Sequence, residues 1–165
     1  MLSGGQERAV KKFINHVDHV AWICRYENVE ANIARLEALS GVTLERFERK
    51  DIGISISANW ESGLELLSPL PARTEFNGGL YDHLDAHGEG VYAVVFGVPS
   101  LEKHKHYLEA RGFEVGPEVD DHVDSPWHDK MVLRERMTDP FLTSNFVLGQ
   151  IDYRDDIIRF EPVKD

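Results

Sequence analysis

One order of apolar runs, a helical stretch and turn residues occurs twice in this chain, and that duplication limits the fold more than any other feature. The first copy opens with Val17-Asp18-His19-Val20-Ala21-Trp22-Ile23-Cys24, a strand-like run ended by Arg25 to Glu27. Asn28 then suits a helix N-cap, and Val29, Ile33, Leu36 and Leu39 repeat at helical spacing until Ser40-Gly41 stops them. Strand-like runs over 42–48, 52–59 and 63–70 follow without room for a crossover helix, so they should pair as an antiparallel meander. After a connection from Pro69 to Gly79 and a helical turn around Tyr81 to Ala86, the order restarts. Val91 to Val98 is the second opening strand, and Pro99-Ser100 start a helix with Leu101, Tyr107 and Leu108 inward. Leu108-Glu109-Ala110-Arg111-Gly112 echoes the end of the first helix, and further strands span 113–119, 131–137 and 145–152.

The expectation is an α+β fold in which two βαβββ modules form a curved, partly closed mixed sheet around a central cavity. The first module covers 14–70, the connection 71–90, the second module 91–152 and a tail 153–165, all in one compact domain. Within the tail, Ile157 to Phe160 offers a spare strand for a sheet edge or a second subunit.

Charge narrows the partners. A net charge of -11 argues against a nucleic-acid surface, which needs clustered Lys and Arg. Arg46, Arg49 and Lys50 are the one basic cluster that suits a phosphate or carboxylate, against the plainer reading of a solvated strand end. No apolar stretch is long enough for a bilayer, the N-terminus lacks the apolar core of a signal peptide, and Cys24 is the only cysteine, so a cytoplasmic protein is expected.

Few residues carry chemistry. His19 shares a strand face with Ala21 and Ile23, where an imidazole needs a carbonyl partner, a metal or a ligand. Overlaying the two copies sets Ala93 against His19, and sets Gln150 against Glu65 in the final strands. Glu65, within Gly-Leu-Glu-Leu-Leu, either faces water or is held by a partner inside. The acidic segment 120–129, with His122 and His128, reads as a loop or lid whose metal-binding look is weaker than its reading as solvated chain. His83 and His87 lack the glutamate of a zinc-protease helix, His104 and His106 diverge, and Gly88-Glu89-Gly90 leads into a strand and so makes no phosphate loop.

Asp18-His19-Val20-Ala21, Glu65-Leu66-Leu67-Ser68-Pro69-Leu70 and Leu84-Asp85-Ala86-His87-Gly88-Glu89-Gly90-Val91 together resemble the vicinal oxygen chelate superfamily, nearest its methylmalonyl-CoA epimerase and glyoxalase I branch. The resemblance spans about residues 14–120 and implies paired βαβββ modules, often as a homodimer. It also implies a divalent metal (Zn, Co, Ni, Mn or Fe) on His19, Glu65, position 93 and a residue near Gln150. Tyr92-Ala93-Val94 stands where the family resembles His-His-Ile, so a three-ligand set of His19, Glu65 and Gln150 is what the resemblance leaves. Such a metal stabilises an enolate formed beside a carbonyl. Glu65 is the candidate base, with Glu48 or Glu45 on the second strand as inward alternatives.

The implied function is a glyoxalase-like isomerase, epimerase or lyase acting on a small carbonyl or acyl-thioester compound. The alternative is a metal-free, drug-sequestering protein resembling bleomycin resistance proteins. In it Tyr92 and Ala93 enlarge the cavity, and Trp22, Phe96, Trp60 and Trp127 offer stacking surfaces. A ring-cleaving dioxygenase using iron, the third class, wants two histidines and a carboxylate, and only one histidine is placed for it.

Overall fold

The computed structural model describes residues 15–119 and 125–154. In chain order the elements are β1 (His16–Ile23), a 3-10 turn (Tyr26–Asn28), α1 (Val29–Ser40), β2 (Glu45–Arg49), β3 (Ile54–Asn59) and β4 (Leu64–Pro69). Then come α2 (Gly78–His87), β5 (Gly90–Gly97), α3 (Leu101–Glu109), β6 (Val115–Val119), β7 (Met131–Thr138) and β8 (Asn145–Tyr153). The duplicated order is therefore present, with strand ends displaced by a few residues. The expected tail strand at Ile157 to Phe160, and residues 120–124 of the expected lid, lie outside the described residues.

All eight strands join one curved mixed sheet in the order β2-β3-β4-β1-β5-β8-β7-β6. Each half is an antiparallel meander whose last strand lies parallel to its first, β4 beside β1 and β8 beside β5. The halves join where β1 and β5 run antiparallel, with Val20 opposite Val94. This junction covers two edges that would otherwise expose unpaired backbone groups.

The helices α1 and α3 cover the convex face. Val29 and Ile33 pack on Trp22, Cys24 and Leu66, while Leu101 and Leu108 pack on Phe96 and Leu148. Leu101 and Leu148 are both 0% exposed, and each such burial contributes about 1.5–3 kcal/mol. Gly41 ends α1 in the left-handed region at φ 74°, donating its N–H to Glu37 O at 2.8 Å.

Some helical expectations need correction. Asn28 precedes α1, but its side chain makes no cap bond and donates to Glu89 Oε1 at 2.7 Å instead. Leu39 and Tyr107, expected inward, are 77% and 49% exposed, because each sits in a last helical turn that overhangs the sheet. The short connecting helix α2 buries Leu80 and Leu84 against Ile23 and Ile54, closing one end of the concave face. Among the described residues, no helix is long and apolar enough to cross a membrane.

Candidate functional site

The concave face holds a cavity of about 700 Å³, within the range of small-molecule sites. His19 stands on its floor, 2% exposed. Neighbouring residues of a regular strand point to opposite faces, yet Asp18 Oδ1 accepts from His19 Nδ1 at 2.9 Å. A break in the β1–β5 register between Val17 and His19 removes the contradiction, since a bulge lets Asp18 and His19 share a face. Gly63 supports this turn of chain. It has φ +72°, and a Cβ there would lie 2.6 Å from Asp18 O, so neither the backbone nor the space admits a side chain.

Asp18, 4% exposed, is in turn held by Tyr153 at the far end of β8. The phenol donates to its Oδ1 at 2.7 Å, with Oδ2 at 3.0 Å. The carboxylate thus sets the ring plane of His19 and the direction of Nε2. That nitrogen faces two more carboxylates, Glu65 Oε2 at 3.4 Å and Glu135 Oε1 at 3.5 Å. Burial by itself would lower the histidine pKa. The hydrogen bond to Asp18, the hydrogen bond and charge of Glu65 and the charge of Glu135 outweigh it and push the pKa up to about 10. Each ring nitrogen thus has a carboxylate to donate to when the ring is protonated.

Aromatic rings close one side. Trp60 meets His19 edge-on at 5.0 Å between centroids, and Trp127 meets Trp60 at 5.2 Å and Phe47 at 5.7 Å. Tyr92 lines the cavity under His83 of α2, with ring centroids 5.0 Å apart, and burial together with the Glu65 charge raises its phenol pKa. Ala93 also lines the cavity.

Other candidates fall elsewhere. Gln150 lies on the convex side, where its Oε1 accepts from Leu101 N at 3.0 Å at the start of α3. It does not join His19 and Glu65. The overlay that paired it with Glu65 was out of register: Glu65 lies opposite Ala21, and the matching position opposite Val95 is Val147. Glu48 also points to the convex side, accepting from Tyr26 Oη at 3.1 Å and Arg46 Nη2 at 2.9 Å, because its neighbour Phe47 takes the inward position. Glu45 reaches Lys130 at 3.5 Å on the exterior. Trp22 packs with Cys24 and Tyr26 beneath α1, and Phe96 packs beneath α3, so neither lines the cavity. Of the basic cluster, Arg46 pairs with Glu30 and Glu48, and Arg49 pairs with Asp51 while also lining the cavity.

Glu135 was missed, although a signal for it existed. In Met131–Thr138 the residues Met131, Leu133, Glu135 and Met137 alternate onto one face, and a carboxylate in an apolar series is the feature that marked Glu65. Asp18 and Tyr153 had no comparable signal, since a bulge and a contact across 135 residues bring them in.

The four metal-ligand positions implied by the resemblance reduce to His19 and Glu65. Ala93 and Val147, which occupy the second-half positions, carry no donor atom. Among the described residues, no group of three or more His, Cys, Asp or Glu is arranged to hold a metal ion. The implied set therefore does not fit as a whole, since Ala93 has no donor atom and Gln150 is turned to the start of α3.

No family model matches the chain and no curated protein matches it. Solved structures do. A Streptomyces coelicolor methylmalonyl-CoA epimerase variant in complex with 2-nitronate-propionyl-CoA has a TM-score of 0.59 at 17% identity, covering 84% of this chain and 95% of that one. The Mycobacterium tuberculosis methylmalonyl-CoA epimerase has a TM-score of 0.61 at 16% identity, covering 89% and 95%. A methylmalonyl-CoA epimerase in complex with methylmalonyl-CoA and NH4+ has a TM-score of 0.59 at 16% identity, covering 84% and 95%. These neighbours have the paired-module fold of the vicinal oxygen chelate superfamily, and this chain shares that fold.

Proposed function

We propose that the protein catalyses proton transfer at the carbon next to the carbonyl of a small acyl compound, an epimerase- or isomerase-type reaction. One observation carries the reading: on the cavity floor, an imidazolium oriented by Asp18 faces two carboxylates, Glu65 and Glu135. A carboxylate takes the proton from carbon, the C–H electron pair moves toward the carbonyl oxygen, and His19 Nε2–H donates to the oxyanion that develops. Return of a proton to the opposite face by the second carboxyl group, which must enter the reaction protonated, inverts the centre, and return of the abstracted proton by the first group to the same face restores it. The acyl-CoA ligands of the structural neighbours support an acyl compound as substrate.

The test is hydrogen exchange in D2O, followed by NMR, on a panel of small acyl thioesters and α-substituted ketones. Enzyme-dependent loss of the α-proton signal is expected, with Glu65→Gln and Glu135→Gln each slowing it about 100-fold or more. No exchange across the panel by a folded protein would sink the proposal in favour of a second reading, a binding protein that transforms nothing. That reading is favoured by the donor-free surface of Ala93, Val95 and Val147.

A further inference from the structure

The two halves of the cavity are not chemically equivalent. An approximate two-fold axis passes between the paired Val20 and Val94. It carries His19 to Ala93, Ala21 to Val95, and Glu65, opposite Ala21, to Val147, opposite Val95. One polar set is thus mirrored by methyl and isopropyl groups. Ala21, Ala93, Val95 and Val147 form one buried apolar cluster, extended toward the cavity by Leu67 and Met137. Gly149 continues the smooth floor, because Val95 Cγ1 lies 2.9 Å from where its Cβ would be. At the closed end, Ile54 and Leu80 bring two further apolar walls. The cavity therefore has a charged end where His19 and Glu65 of the first half meet Glu135 of the second, and an apolar bed on Ala93, Val95 and Val147, with Arg49 and Glu118 also in its lining.

From this asymmetry we infer that the ligand is an acyl or carbonyl compound with an extended apolar tail, its carbonyl at His19 and its tail lying on Ala93, Val95 and Val147. The inference rests on the reading that this cavity binds the carbonyl substrate. A cavity of about 700 Å³ is wider than an acetyl or propionyl group needs, and apolar surface without polar partners gains only from covering by carbon. Burial of each methylene is worth about 0.8 kcal/mol, which is about fourfold in affinity.

The experiment titrates the full chain with S-acyl-N-acetylcysteamines from acetyl to octanoyl, by calorimetry at pH 7. The dissociation constant is expected to fall about fourfold per added methylene until the bed is filled. Met137→Phe and Ala93→Leu should each move the end of that rise to a shorter chain, and Met137, only partly buried, is the safer of the two for folding. Glu65→Gln should change affinity across the series without changing the increment per methylene. A flat series, or a rise that ends at the same length in both folded variants, would overturn the inference. Exchange on short acyl compounds with a flat affinity series would refute the tail while leaving the proposed reaction standing. A steep series without exchange would do the reverse.

Discussion

Removing the carboxylate of Asp18 should loosen the site and the fold together. Asp18 is 4% exposed and accepts from Tyr153 Oη at 2.7 Å and from His19 Nδ1 at 2.9 Å. Hydrogen bonds to a charged group contribute about 1.5–3 kcal/mol each. Asn in its place keeps one acceptor oxygen without the charge and turns an amide N–H₂ toward a donor, so Asp18→Asn should cost about 2–4 kcal/mol. Tyr153→Phe removes a phenol that stays protonated, since burial and then the Asp18 charge raise its pKa far above the usual range. Its cost should be about 1.5–3 kcal/mol, left mainly on a buried carboxylate short of one donor. Because both changes act on one carboxylate, the double variant should be less destabilised than the sum by about 1–2 kcal/mol. Urea unfolding at pH 7 measures this, provided the slope against denaturant is the same in all four proteins. Imidazole ¹⁵N shifts supply a second readout, because Asp18 is the largest influence raising the His19 pKa and Asp18→Asn should lower it. Strict additivity with unchanged imidazole shifts would refute the chain from Tyr153 through Asp18 to His19.

Two further outcomes follow from the same geometry. His19 has its folded pKa raised from 6.5 to about 10, so its contribution to stability is complete below pH 6.5 and is lost as pH rises toward 10. Between pH 6.5 and 9 wild-type stability should therefore fall relative to His19→Gln by about 1.4 kcal/mol per pH unit, read from urea midpoints. The window closes there because pH then approaches the folded pKa of about 10, where the native ring begins to lose its extra proton. A difference that does not change with pH would refute the buried imidazolium. Gln150→Ala should cost about 1 kcal/mol through loss of its bond to Leu101 N, and should leave acyl-thioester affinity unchanged, whereas a large loss of affinity would return Gln150 to the site.

Local signals made much of this molecule legible before any coordinates. The doubled order of elements, the stop at Gly41, the start of α3 at Ser100 and the isolated His19 and Glu65 all depend on near neighbours in sequence, on periodicity and on backbone preference. Those determined the element types, the two modules and the pair of polar residues worth attention. Register belonged to the tertiary structure. Strand side chains alternate with period two, so an error of one residue moves a side chain to the opposite face, and this is how Gln150 and Glu48 came to be expected in a cavity they do not line. A bulge in β1 turned Asp18 toward His19, and strands distant in sequence delivered Glu135 and Tyr153. A contact between residues 135 apart leaves no periodic mark in the chain. Only folding into one curved sheet sets the second module's carboxylate and phenol against the first module's histidine and aspartate.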